Sequence, residues 1–415
     1  MKNPDVIVVG GGAAGLLASI RAAMDGHKVL VLEKMQTTGK KMLLTGKGRC
    51  NITNSDSIKD FITQVFPDGR FLYSAFNQFF NFDILALLED CGVETMLERG
   101  GRYFPKSEKA SDVVEALYKR AKDLGVEFIF NAKVLSIEQL EGKINSVTYL
   151  NNNLEEIKIP VQNVIVCTGG KSYPGTGSTG DGYVFAKKLG HKIEKLLPTL
   201  VPVETFEDTA SEMQGLSLKN INASLIIDGV EEDSEFGELL FTHYGLSGPV
   251  ILTLSRKIVV ALEEKKEVKI SIDFKPALDF EKLDARILRD LNEHGKMKFA
   301  NLFKLWLPQK AISVFQKLSN IDIEKQASKI SGAERKKIVS LLKNLEFTVK
   351  AHRGYNEAVV TAGGVCTDEV NPKTMESKLV QGLYFAGEVL NLDANTGGYN
   401  LQIAFSTGWL AGGLG

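Results

Sequence analysis

Two sets of residues near the N-terminus have the types and spacing to hold a dinucleotide. Gly10-Gly-Gly12-Ala-Ala-Gly15 forms a G-x-G-x-x-G turn, and Glu33 stands 18 residues beyond its last glycine. In such a turn Gly10 lets the chain reverse, Gly12 lets backbone approach a pyrophosphate, and Gly15 lets a helix lie close to a strand. The helix that Ala13 and Ala14 open offers unpaired N–H groups and a partial positive charge to phosphate oxygens. An acid at the position of Glu33 reaches ribose hydroxyls. The elements that must position these groups are legible around them. Asp5–Gly10 holds four consecutive apolar residues and reads as a buried strand, an alanine-rich helix runs to about Met24, and Lys28–Glu33 is a second strand. Strand, glycines, helix, strand and acid in that order make one βαβ unit, which by itself selects neither NAD nor FAD.

Further chemistry-bearing stretches lie along the chain. Lys34–Asn54 is dense in Gly, Lys, Thr and Asn and has no apolar period, so it reads as a long functional loop. Its basic and small residues, with Lys34, Lys41, Arg49 and Asn51 among them, suit a phosphate or the approach to a flavin ring. Gly100–Pro105 is a turn presenting Arg102 and Tyr103, and Asn163–Gly170 is a buried strand ending in Thr168, Gly169 and Gly170. Gly175–Gly182 repeats the glycine pattern and carries Asp181. Pro174 precedes it and no fresh βαβ unit follows, so it reads as a glycine loop at a helix start rather than a second nucleotide domain. His243 sits in a glycine-flanked loop. Leu383–Glu388 is a strand ending in Gly387 and Glu388, and Thr396–Gln402 opens the last helix, whose N–H dipoles suit negative charge on a reduced flavin.

Between these stretches the periodicity predicts helices over 58–92 and 111–124, strands over 126–130 and 133–139, and a meander over 144–159. From His191 to about Phe347 the texture is that of antiparallel strands, with a helical, lysine-rich piece over 280–331. The fold expected is α/β: a Rossmann-like domain of residues 1–192 and 348–415, a β-rich insert of 193–276 and 332–347, and a helical subdomain of 277–331.

Fifty basic against 51 acidic residues in 415 give no electrostatic reason to expect nucleic acid or an anionic membrane. No apolar run approaches the roughly 18 residues that suggest a bilayer span. Cys50, Cys91, Cys167 and Cys366 never form C-x-x-C, which disfavours a disulfide framework, a metal site and a redox dithiol, and points to the cytoplasm.

Taken jointly, Gly39–Asn54, Gly101–Pro105, Thr168–Tyr183, Leu240–Pro249, Thr361–Val365, Thr374–Lys378 and Leu383–Gln402 resemble the bacterial BaiN/YhiN-like flavoproteins, also called aminoacetone-oxidase-like FAD-binding enzymes. The resemblance covers nearly the whole chain. It implies a glutathione-reductase-type FAD-binding domain interrupted by a β-barrel-like insert and a small helical subdomain. It also implies that Gly12, Ala13 and Ala14 meet the FAD pyrophosphate, Glu33 the adenosine ribose and Val134 the adenine. Thr168 and Gly169 would lie beneath the nucleotide, Gly387 and Glu388 by the ribityl–pyrophosphate region, and Tyr399, Asn400, Leu401 and Gln402 by the flavin. Asp181 stands in a stretch similar to one beside the cofactor of fumarate reductase flavoproteins, but that family's acid/base arginine motif is not visible here.

The function expected is an FAD-dependent oxidoreductase of a small organic substrate, with hydride transfer at flavin N5 and NAD(P)H as a transient co-substrate. Arg49 is the candidate for the flavin or an anionic substrate group. His243 is the general acid/base candidate, because its ordinary pKa lies near neutrality, and Tyr103 is its alternative. Three other readings stand beside it: an O2-using amine oxidase, a flavin-bearing RNA-modifying or regulatory protein, and an FAD-binding protein without turnover.

Overall fold

The computed structural model describes residues 4–415, so the first three residues of the expected domain lie outside it. The chain divides into two compact units, one of residues up to Pro198 together with Ala358–Gly415, the other Thr199–Glu357.

The first unit is built on a parallel sheet. Val6–Val9 lies between Val29–Glu33 and Asn163–Val166; Glu127–Phe130 and Leu383–Phe385 take the two edges. Val6–Val9 and Val29–Glu33 are buried along their whole length, as unbroken apolar runs require when helices cover both faces. The helix Ala13–Met24 follows the glycine turn, and the C-terminal helix Tyr399–Gly412 lies against it. A three-stranded antiparallel meander, Lys133–Leu140, Lys143–Leu150 and Glu156–Pro160, completes the expected βαβ-plus-meander order.

The second unit is a closed six-stranded antiparallel barrel. Its strands run in the order Val203–Thr205, Gly245–Ser247, Val230–Phe241, Ser217–Ile227, Val268–Asp273 and Leu345–His352, and the last pairs back with the first. Closure leaves no unpaired edge. Phe241, Phe347, Ile270 and Leu225 fill the interior and are fully buried. Four helices, Phe280–Glu293, Phe299–Trp306, Gln309–Ser319 and Gly332–Lys343, share one apolar cluster with the barrel.

Several boundaries differ from the sequence reading. Ile193–Thr199 pairs with Val360–Val365, which carries the first unit's boundary to Pro198 rather than 192. Leu345–His352 is needed to close the barrel, so the second unit runs to Glu357 rather than 347. Residues 277–331 are not set apart, because their apolar faces are buried with those of the barrel, and 332–343 is helix rather than β structure. The helix Pro249–Glu263 stands where only strand texture was expected. The helical stretch 58–92 is broken into Ile58–Ile62, Tyr73–Gln78 and Asn81–Asp90.

Candidate functional site

The site residues of the first unit gather at three places. The first is the glycine turn. A Cβ on Gly10 would stand 2.6 Å from the carbonyl oxygen of Cys167, and one on Gly15 would stand 1.9 Å from that of Gly10, so backbone here is in contact with backbone. Gly12 is different: a Cβ there would meet no atom within 4 Å. Gly12 is also the N-cap of the first helix and brings no side chain to its N–H groups. The turn therefore leaves an open cradle at a helix N-terminus, next to Ala13 and Ala14. Glu33, 8% exposed, is held by the N–H groups of Gly11 (2.7 Å to Oε2) and Met35 (2.8 Å to Oε1). This fixes the carboxylate beside the turn with lone pairs to spare. Thr168 and Gly169 follow the neighbouring strand, and Gly169 adopts φ +69°, where a side chain would be strained. Val134 is buried at the start of the meander.

The second place is a set of lysine–carboxylate links across the loops. Lys34 Nζ donates to Asp181 Oδ2 (2.6 Å) and Thr179 Oγ1 (2.5 Å), which draws the second glycine loop, with its helix Asp181–Lys188, onto the end of the second strand. Lys41 Nζ donates to Glu388 Oε2 (2.5 Å) and Ser172 Oγ (2.6 Å). Glu388 Oε1 in turn accepts from Ser172 Oγ (2.8 Å) and the Thr361 N–H (2.9 Å). Gly387 has φ +77°, and a Cβ there would stand 2.9 Å from that of Ala14. This network thus abuts the first helix.

The third place surrounds the N-terminus of the last helix. Gly398, at φ +99°, is its N-cap and lies against the backbone of Thr53. Asn54 Nδ2 donates to the carbonyls of Gly100 and Gly397, both at 3.0 Å. Tyr399 donates to Asp56 Oδ2 (2.6 Å); burial and then this carboxylate push its phenol well above the usual range. Asn400 is turned onto Ala394, accepting from its N–H (2.9 Å) and donating to its carbonyl (2.8 Å). Leu401 is half-buried beside it. Asn51 Oδ1, Thr53 Oγ1 and Gln402 Oε1 are buried without a hydrogen-bond partner among the described residues. Each such atom costs about 1–3 kcal/mol unless a polar ligand satisfies it.

Arg49, the candidate for the flavin or an anionic substrate group, has carboxylate partners of its own. Its guanidinium bonds Glu98 through both terminal nitrogens (2.7 and 3.4 Å) and Glu108 (3.3 Å), and lies 4.1 Å from the centroid of Phe104. The Glu98 bond raises its pKa further. Tyr103 lies half-buried on the strand Arg102–Pro105 next to Thr53. His243 belongs to the second unit, exposed on the turn between Val230–Phe241 and Gly245–Ser247, with its ring 4.8 Å from that of Tyr244. Thr53, Asp56, Ser172 and Thr361 take part in the site and were not singled out from sequence. Thr53, Ser172 and Thr361 fall within the stretches Gly39–Asn54, Thr168–Tyr183 and Thr361–Val365, whereas Asp56 falls in none of them. Burial pushes the Cys50 thiol up to about 12, which removes it as a nucleophile at neutral pH.

A family described as HI0933-like protein Rossmann domain matches residues 4–414. The 3-dehydro-bile acid delta(4,6)-reductase of Clostridium scindens is 32% identical over 412 residues, 98% of this chain and 97% of that protein. A ribosomal RNA dihydrouridine synthase of Haemophilus influenzae is 31% identical over 406 residues, 97% of this chain and 96% of that protein. Among solved structures, a quinol–fumarate reductase with menaquinol superposes with a TM-score of 0.51 at 15% identity, over all of this chain and 70% of that one. That likeness is one of fold: a Rossmann-type FAD-binding architecture, here with a six-stranded barrel as its second unit.

Proposed function

The chain belongs to the HI0933-like Rossmann family and is an oxidoreductase of the flavoprotein type; from that premise we propose that it reduces a carbon–carbon double bond conjugated to a carbonyl, with FAD resident and NAD(P)H as reductant. The observation that carries the reading is the open cradle over Gly12 together with buried polar atoms at Asn51, Thr53 and Gln402 that have no hydrogen-bond partner among the described residues. One ligand with a pyrophosphate and a polar ring edge matches both.

The names of the two relatives support the reaction class. A 3-oxo group conjugated to a Δ4 bond and the uracil C5=C6 bond beside its carbonyl are the same functional group, an unsaturated carbonyl. In balance, NAD(P)H yields a hydride to the β-carbon, a proton joins the α-carbon, and NAD(P)+ and the saturated carbonyl leave. Bound FAD supplies the hydride relay at N5.

The residues of the chain do the rest. The N–H groups after Gly12, with Ala13 and Ala14, hold the pyrophosphate, and Glu33 accepts from the adenosine ribose. Val134 meets the adenine through backbone, and Thr168 and Gly169 support the nucleotide from below. Lys34–Asp181 and Lys41–Glu388 clamp the loops around it. Gln402 and Asn51 bond the ring edge, while the helix N-terminus at Tyr399 offsets negative charge there. His243 is the proton donor proposed for the α-carbon, with Tyr103 as its alternative. Four free cysteines suit a reducing compartment, the cytoplasm.

The test is anaerobic spectroscopy of the purified protein. NADH or NADPH should bleach the flavin absorbance, and a conjugated enone or a uridine-containing RNA should restore it. Bleaching by a primary amine, with recovery on O2 and no response to either pyridine nucleotide, would replace the reading with an amine oxidase.

A further inference from the structure

The chain's charges are balanced overall and segregated locally. Residues 295–343 hold eleven lysines and arginines against three acidic residues, which leaves 39 basic against 48 acidic in all the rest. The segment is the helical part of the second unit, and its three helices turn their apolar faces into the barrel's cluster. Five of its cations are spent within the fold: Lys298 on Glu324, Lys325 on Glu334, Arg335 on Asp284, Lys317 on Glu212 and Lys343 on Asp273. Lys296, Lys304, Lys310, Lys329, Lys336 and Lys337 are exposed and have no carboxylate partner among the described residues. Backbone bonds from Ala327 to Met297 (2.9 Å) and from Ser328 to Gly295 (3.1 Å) bring the stretches bearing Lys296 and Lys329 side by side. Lys336 and Lys337 follow on the outward side of the next helix, opposite buried Ile338 and Leu342.

We propose that this lysine surface docks the phosphate backbone of RNA. Lysines are mobile point charges that neutralise phosphates one by one and need no fixed geometry. A protein partner fits poorly, because protein interfaces are depleted in lysine and need buried aromatic or apolar anchors. A bilayer also fits poorly: the large exposed apolar side chains here are Leu305 and Ile323, at 42% and 43%, without the continuous apolar face that interfacial helices insert. The choice of RNA over DNA rests on the reading above, in which uridine is a candidate substrate; the lysines themselves read only phosphate.

The test is fluorescence polarisation of a short labelled single-stranded RNA with the FAD-loaded protein across a salt series. Binding should weaken with salt by roughly 0.7 in log–log slope per phosphate neutralised. Lys329→Ala, Lys336→Ala and Lys337→Ala together should make that slope shallower by about 2, with the flavin spectrum and melting temperature unchanged. The triple Lys→Arg variant should bind as the parent does. No binding at low salt, an unchanged slope in the alanine variant, or tighter binding to phosphatidylserine vesicles would each overturn the proposal. RNA binding without uridine reduction would leave the docking surface standing and remove the reduction of uracil. Reduction of an enone without RNA binding would do the reverse.

Discussion

Gly12 and Gly15 stand three residues apart in one turn, yet a methyl group added to each meets a different fate. At Gly12 it points where no atom lies within 4 Å, on backbone with φ −79° that any residue adopts. Gly12→Ala should therefore leave the melting temperature unchanged and weaken FAD binding at least tenfold, about 1.4 kcal/mol, because the methyl occupies the phosphate cradle. At Gly15 it meets the Gly10 carbonyl at 1.9 Å, so Gly15→Ala should cost about 1–3 kcal/mol of stability, as overpacked positions do. FAD titration followed by fluorescence, paired with thermal melts, separates the two; wild-type affinity in Gly12→Ala would remove the cradle from the argument. Arg49 shows the opposite limit of residue-level reading. Its neighbours in sequence suggested an anion site, but the carboxylates that claim it are 49 and 59 residues away. No local pattern carries such a pairing.

The C-terminal helix owes its place to small residues. A Cβ on Gly408 would lie 2.3 Å from the carbonyl of Ala14, and one on Gly412 would lie 2.5 Å from that of Ala18, so the two helices touch backbone to backbone. Ala14 belongs to the first turn of the nucleotide helix, which makes this contact a positioning device as well as a packing one. Gly408→Ala should lower stability by about 1–3 kcal/mol and also weaken FAD binding. Chemical denaturation and FAD titration of the same variant check both, and loss of stability with unchanged affinity would reduce the contact to packing. Elements like these also mark what a sequence makes visible. The βαβ unit was legible because its signals are local: an apolar run, spaced glycines and a terminal acid within 33 residues. The strand Leu345–His352 was cut short at 347 because its partner is Val203–Thr205, far away in the chain, and closure of a barrel leaves no mark on either strand alone. Pro249–Glu263 has apolar residues at helical spacing, Val250, Ile251, Leu254 and Ile258, but stands among strand-like segments that set the expectation for the whole region. Asp56 and Ser172 escaped because a polar residue in a polar loop carries no periodicity to distinguish it, and Thr361 because it is a single hydroxyl within the buried strand Val360–Val365.

Averaged over the molecule, a net charge of −1 conceals a strongly basic helical segment set against an acidic remainder, so whole-chain composition is blind to the segment on which the RNA proposal rests. Titration of buried groups is a second property of the whole fold. His191 is buried in the first unit, with Nδ1 3.1 Å from Glu369 Oε2 and Nε2 2.8 Å from Ser377 Oγ; burial lowers its pKa, and Glu369 opposes that only in part. His352 in the second unit is lowered by burial too. The folded chain then binds these protons less readily than the unfolded chain, so the stability they contribute is whole above pH 6.5 and is lost as pH falls from there through the folded values. Melting temperature should accordingly drop on acidification from pH 7, and His191→Gln should flatten that slope; an unchanged slope would assign the acid sensitivity elsewhere. Finally, the chain leaves the first unit after Pro198 and re-enters it only at Ala358, and the edge strand Leu383–Phe385 arrives later still. On the ribosome, the barrel is fully synthesised and closes while the nascent Rossmann sheet still shows Asn163–Val166 as a bare hydrogen-bonding rim. Translation of the last stretch therefore works as a capping event, and premature termination anywhere between them yields a finished barrel tethered to an adhesive, half-made sheet.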